Sequence, residues 1–129
     1  MSRREAWMAL AMLALWSGLA ACDGSGNAHN ITDPKLKAAT LWEHRCAACH
    51  GLEGKGDGPS VPGIRIQPVD LTHPAWQAAW DDTRIKRVIL EGGPAEGRSH
   101  VMSPNPDLAD DPATVAELVK LIRTLERPR

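Results

Sequence analysis

Residues 46–59, CAACHGLEGKGDGP, constrain the fold more than any other part of this sequence. Two cysteines and a histidine fall within about one helical turn, and a glycine-rich stretch ending in a proline follows at once. Three chemistries use two thiols and an imidazole at this spacing: a disulfide or redox-active pair, a zinc site, and a covalently attached haem. The remainder of the chain has to discriminate among them.

The first part of the chain is typical of an export signal. Residues 1–21 combine two early arginines with a short, almost wholly apolar run and small residues at its end, the pattern of a cleaved signal peptide. The run is shorter than the roughly 20 residues that a membrane-spanning helix needs. Residues 19–22, LAAC, resemble the lipobox of bacterial lipoproteins, so we expect cleavage before Cys22 and a lipid on that cysteine. The alternative is an ordinary signal peptide that leaves Cys22 as a free thiol.

We expect residues 22–33 to form the lipidated N-terminus and a flexible tether, because they are polar and glycine-rich. The folded domain is then predicted over residues 34–129. Such a protein would be exported and held by lipid on the periplasmic side of a bacterial membrane. Asp23 resembles the retention signal that favours the inner membrane.

Composition limits the core and the partners. The chain has no Phe and no Tyr, and only three of its five tryptophans follow the signal. A prosthetic group with a large apolar face would supply much of the missing core. The formal net charge is −1 and there is no basic run, so nucleic acid is not an expected partner.

Helix signals predict an all-α domain. Asp33-Pro34 and Asp111-Pro112 each place a capping carboxylate before a proline, which is a good helix start. We predict three main helices: the first from Pro34 to the cysteines, the second starting at Asp81-Asp82 and ended by Gly92, and the last carrying an apolar stripe. A short helical turn is expected over residues 75–80, and long loops connect these elements.

The candidate chemistries make different demands on the rest of the chain. A redox CxxC pair normally sits on a βαβ frame, and the sequence has no convincing strand. A zinc site needs three or four ligands, and no second cysteine pair or His-x₃₋₅-His follows. CxxCH is the signature of c-type haem attachment. In that interpretation the thiols of Cys46 and Cys49 add to haem vinyl groups, and His50 reaches the iron. The sequence contains one such motif, so one haem c is expected.

A haem iron in an electron carrier usually has a second axial ligand, and Met in that place raises the reduction potential. Met102 is the one methionine outside the predicted signal, and it lies in a proline-rich loop. We expect Met102 to be that ligand. His100, two residues away, is the competing candidate.

The chain resembles the monohaem class I cytochrome c domain over roughly residues 34–127. The resemblance depends on LWEHRCAACHGLEGKGDGP, PVDLT at residues 68–72, ILEGGP, the Met102 loop and VAELVKLIRTL, in that order. It implies the small cytochrome c fold around one covalent haem, with the first and last helices crossing near Ala38 and Trp42. It also implies that the Pro59 carbonyl accepts a hydrogen bond from the His50 imidazole, as the partner of a metal-bound histidine does.

Three further residues are candidates for contact with the haem because their side chains are hydrogen-bond donors. Arg65, Trp76 and Trp80 carry only donors, so they are candidates to meet the haem propionates. The alternative is an exposed arginine and two packing tryptophans. The glycines after His50 are expected to let the backbone pass close to the porphyrin edge.

The resemblance implies a membrane-anchored periplasmic carrier of single electrons rather than an enzyme. The protein would be a monomeric domain that exchanges electrons with a redox donor and a redox acceptor. No acid–base or nucleophile cluster accompanies the motif. Two alternatives stay open: a haem-based ligand sensor or small haem enzyme with a displaceable sixth ligand, and a fixed subunit of a larger oxidoreductase.

Overall fold

The structure is a computed structural model that describes residues 31–127. All regular structure in this range is helical, which confirms the predicted all-α class. The predicted signal peptide, Cys22 and most of the predicted tether lie outside the described residues. The elements are α1 (Pro34–Leu41), a π-helical turn (Trp42–Cys46), α2 (Ala47–His50), a 3₁₀ turn (Val61–Gly63), α3 (Pro74–Ala79), α4 (Asp82–Glu91), and α5 (Pro112–Thr124), with two further 3₁₀ turns before α5 (Gly93–Glu96 and Pro106–Leu108).

Side-chain caps begin the main helices where the sequence predicted them. The Asp33 carboxylate accepts a hydrogen bond from Lys35 N at 2.8 Å at the start of α1. Asp81 and Asp111 cap α4 and α5 in the same way. A capping carboxylate satisfies N–H groups that have no partner within the helix. Within the described part of the chain, no helix has both the length and the apolar composition needed to cross a membrane.

The π-helical turn is a feature that the sequence did not predict. The Ala47 N–H donates to the carbonyl of Trp42, five residues earlier, instead of to the residue four before it. The Trp42 indole N–H donates to the carbonyl of Leu52 at 3.0 Å, so this tryptophan is held from the loop that follows α2. A π turn widens the helix locally and commonly marks a functional segment. Here the π turn ends at Cys46, the first of the two cysteines.

The first and last helices pack against each other, as the resemblance implied. Ala38 of α1 is 1% exposed and belongs to the same buried cluster as Leu118 of α5. A small side chain lets two helix backbones approach closely. Lys37 forms an ion pair with Asp111, so the cap of α5 is also tied to α1.

A buried glutamine fastens α3 to α5. Gln77 is 6% exposed, and its Nε2 donates to the carbonyls of Leu71 at 2.7 Å and Ile122 at 2.9 Å. Arg123 of α5 donates to Gln77 Oε1 at 2.9 Å and to the Trp80 carbonyl at 2.6 Å. These bonds fix the short helix that carries Trp76 and is followed by Trp80.

Candidate haem-binding site

One large cavity gathers the residues that the sequence singled out. It has a volume of about 960 Å³, and Cys46, Cys49, His50 and Met102 all line it. The thiols and the imidazole come from the end of the first helical segment. Met102 comes from the loop between α4 and α5. The fold therefore brings two elements more than 50 residues apart in the sequence to the same space.

The cavity walls are mainly apolar. The π turn, α3, α4, α5 and the loop before α3 all contribute aliphatic or indole side chains: Trp42, Ile64, Ile66, Val69, Leu71, Trp76, Trp80, Ile85, Val88, Ile89, Leu118 and Ile122. Several of these belong to the buried core cluster. A large flat apolar group with a few polar contacts fits such a space. This agrees with the expectation from composition that a prosthetic group supplies much of the core of a chain with few aromatic residues.

The glycine-rich loop wraps the end of α2 instead of the cavity wall. The Gly56 N–H donates to the His50 carbonyl at 2.8 Å, and the Gly58 N–H donates to the Cys49 carbonyl at 3.1 Å. A Cβ on Gly58 would overlap the carbonyl oxygens of Ala47 and Ala48. None of the glycines at positions 51, 54, 56 and 58 lines the cavity, and their expected approach to the porphyrin edge stays a prediction. They satisfy helix carbonyls that have no partner within the helix, and so hold the histidine in place.

His50 has the properties of a metal ligand that is ready to bind. Its ring stacks on Trp42, with ring centroids 6.3 Å apart and planes inclined by 28°. Burial lowers the pKa of the imidazole below its ordinary value, because it penalises the charged form. The neutral imidazole is the form that binds metal.

The buried Nδ1 atom of His50 has no hydrogen-bond partner in the described structure. The expected bond to the Pro59 carbonyl is thus not formed. Pro59 is exposed, and the N–H groups of its neighbours Gly58 and Ser60 donate to the carbonyls of Cys49 and Ala48. These contacts tie the loop to the end of α2 through its backbone. A buried polar nitrogen without a hydrogen-bond partner is costly in a protein.

The two cysteines are free thiols that are not joined to each other. Burial raises the pKa of the Cys46 thiol, and the nearby charge of Arg45 opposes that rise. Within residues 31–127, no group of three or more His, Cys, Asp or Glu side chains is placed to hold a metal ion. The zinc alternative therefore finds no ligand set in this region.

The Met102 loop is anchored to the end of α4. The Met102 carbonyl accepts a hydrogen bond from the Gly93 N–H at 2.9 Å. Asn105 donates from its backbone N–H to the Leu90 carbonyl at 3.1 Å. Met102 is partly buried and lines the cavity, whereas His100 is exposed and is not among the lining residues.

The tryptophans proposed for the propionates reach the cavity, but the arginine does not. Trp76 and Trp80 line the cavity and stack with ring centroids 5.6 Å apart. Arg65 is exposed and lies outside the lining. Arg98 lines the cavity instead, with its guanidinium 5.4 Å from the centroid of the Trp80 ring. Sequence reasoning missed Arg98, and no spacing or motif in its loop singles it out.

Comparison with known proteins agrees with this geometry. The family described as Cytochrome c matches residues 36–126. Cytochrome c-554(547) of Halothiobacillus neapolitanus is 34% identical over 68 residues, which cover 51% of this chain and 69% of that protein. The solved structure of the KustC0563 c-type cytochrome matches with a TM-score of 0.53 and 26% identity, covering 70% of this chain and 98% of that one. With residues 46–50, these matches assign covalently attached haem c to Cys46 and Cys49, and the chain belongs to the cytochrome c family.

Proposed function

We propose that the protein carries single electrons on one haem c whose iron is held by His50 and Met102. The supporting observation is that Cys46, Cys49, His50 and Met102 line one apolar cavity. When bound, the haem supplies the one-electron chemistry. The chain supplies attachment, orientation and a dry environment.

Each group has a defined task in this proposal. Cys46 and Cys49 would hold the haem through thioether bonds to its vinyl groups. His50 is kept neutral by burial and oriented by its stacking on Trp42. Met102 offers a thioether sulfur, which raises the reduction potential relative to a second histidine. The aliphatic wall keeps water away from these groups.

Optical spectroscopy of Met102→Ala tests the ligation, with His100→Ala as the matched control from the same loop. Spectra are recorded in both oxidation states. We expect Met102→Ala to lose the signature of thioether ligation and to bind carbon monoxide rapidly when reduced. His100→Ala should match the wild type in both respects. An unchanged spectrum of Met102→Ala would remove this residue from the mechanism.

Carbon monoxide binding and size-exclusion chromatography separate the alternative functions. Rapid stoichiometric binding of carbon monoxide by the reduced wild type would favour a ligand sensor or small haem enzyme. A large stable complex in size-exclusion chromatography of a native detergent extract would favour a fixed oxidoreductase subunit. A free carrier should show neither result. Acid–acetone extraction tests the attachment itself, since a thioether-linked haem stays with the denatured chain.

We further propose that the carrier is exported and held by a lipid on Cys22 at the periplasmic side of a bacterial membrane. The support is the signal-like sequence of residues 1–21 and the LAAC motif. A lipid and tether would let the domain exchange electrons with a membrane-associated donor and acceptor. Replacement of Cys22 by Ser should move the haem protein from the membrane fraction to the soluble fraction. Retention of Cys22→Ser on the membrane would contradict the anchor.

A further inference from the structure

We infer that Arg45 is a positioning residue that holds the Met102 loop closed against the haem-attachment turn. This inference depends on the proposed ligation by Met102. Arg45 immediately precedes the first haem-linking cysteine, and its Nη1 donates to Asn105 Oδ1 at 2.9 Å. The same Nη1 lies 3.0 Å from both carboxylate oxygens of Asp107. These three residues are called the Arg45 bridge below.

The bridge joins parts of the chain that are 60 residues apart in sequence. Asn105 connects it onward to α4, because its Nδ2 donates to the Ile89 carbonyl at 2.7 Å. Arg45, Asn105 and Asp107 all line the haem cavity, as does Met102. At the cavity wall, the bridge therefore joins the turn that carries Cys46 to the loop that carries Met102.

The bridge is placed where it can control opening of the loop. From Met102 to Asn105, the backbone hydrogen bonds that hold the loop are Gly93 to Met102 and Asn105 to Leu90. They join the loop to α4 and to the 3₁₀ turn that follows it, and neither joins it to the segment that carries Cys46. The Arg45 contacts supply that second connection. They are lost if the loop moves away from the attachment turn.

The expected effect is modest but measurable. The Arg45 and Asp107 side chains are 45% and 55% exposed, so water screens their ion pair. Loss of an exposed ion pair with charged hydrogen bonds should change the equilibrium constant for opening of the loop by about three- to tenfold. An added ligand such as imidazole binds the iron when Met102 has left it. The apparent affinity for imidazole therefore reports the open fraction of the loop.

The experiment is an optical titration of the ferric holoprotein with imidazole. We expect Arg45→Ala and Asp107→Ala each to raise the apparent affinity for imidazole by about three- to tenfold. The double variant should gain little over Arg45→Ala, because Asp107→Ala removes a contact that Arg45→Ala has already removed. Arg45→Lys should recover part of the wild-type affinity. Covalently retained haem is measured for each variant, and Asp107→Ala tests the bridge if Arg45→Ala attaches haem poorly.

Arg127→Ala is the matched control. Arg127 pairs with Asp70 at 3.0 Å across 57 residues, with side chains 52% and 35% exposed, and neither residue lines the cavity. Its removal should leave imidazole affinity within about twofold of wild type.

The outcomes separate the bridge from the proposed ligation. If wild type differs from Met102→Ala but Arg45→Ala and Asp107→Ala bind imidazole like wild type, the bridge is wrong and the ligation stands. An equal effect of Arg127→Ala would also overturn the bridge, since it would show a general effect of lost surface charge. If wild type and Met102→Ala have the same spectrum and the same imidazole affinity, the ligation is wrong and the bridge falls with it.

Discussion

Replacing the buried Gln77 by Leu should weaken the fold without changing the haem site directly. The side chain keeps a similar volume but loses three hydrogen bonds: the two that it donates to the carbonyls of Leu71 and Ile122, and the one that its Oε1 accepts from Arg123. Each bond contributes about 1 kcal/mol net, and the Leu71 carbonyl is left buried without this donor at a cost of about 1–3 kcal/mol. Ile122 keeps a partner, because its carbonyl also accepts from the Leu125 N–H. Burial of the leucine offsets about 1–2 kcal/mol.

The expected net decrease in the free energy of unfolding is about 2–5 kcal/mol. It is measured by guanidinium unfolding of the holoprotein, followed by far-ultraviolet circular dichroism. With a slope of about 3–4 kcal/mol/M, the midpoint should fall by roughly 0.5–1.5 M.

The control for this prediction is Gln67→Leu. Gln67 is exposed, and its side chain donates a single hydrogen bond, to the Gly56 carbonyl. We expect this variant to lose less than about 1 kcal/mol. If Gln77→Leu were as stable as wild type, or no less stable than Gln67→Leu, the reasoning about the buried glutamine would be refuted.

Three further perturbations follow from the packing and the charges. Gly58→Ala should lower the free energy of unfolding by guanidinium by about 2 kcal/mol or more, because a Cβ at this position would overlap two helix carbonyls. Gly63→Ala is the control: a Cβ there meets nothing within 4 Å, so the free energy of unfolding should change by less than about 0.5 kcal/mol. Equal stability of the two variants would contradict the overlap. Ala38→Leu should lose about 1–3 kcal/mol through overpacking between α1 and α5, and a melting temperature equal to wild type would contradict close packing there. Hydrogen bonding to Lys37 lowers the pKa of Asp111 from 3.8 to about 2, so the folded state favours its carboxylate. This contribution is complete above the unfolded pKa and disappears as pH falls through the folded one. Wild type should therefore lose stability more steeply than Asp111→Asn between about pH 4 and 2, and parallel pH profiles would contradict the assignment.

Local sequence patterns were sufficient to predict where the helices begin and to identify the CxxCH part of the candidate site. Asp33 and Asp111 cap helices where they were expected, because a cap depends on a few neighbouring residues. The CxxCH motif is equally local, since its three side chains share one helix end. The π-helical turn at Trp42 was not visible, because it depends on the packing of that tryptophan and on its bond to Leu52.

Charged and polar partners at the cavity were the part that the sequence alone did not determine. Arg65 and Arg98 both lie in loops, yet only Arg98 lines the cavity. Gln77 looked like an ordinary helix residue, but it is a buried link between α3 and α5. Periodicity and capping describe contacts along one helix. The direction of a loop side chain depends on how distant segments pack, and that is decided only when the tertiary structure closes around the cavity.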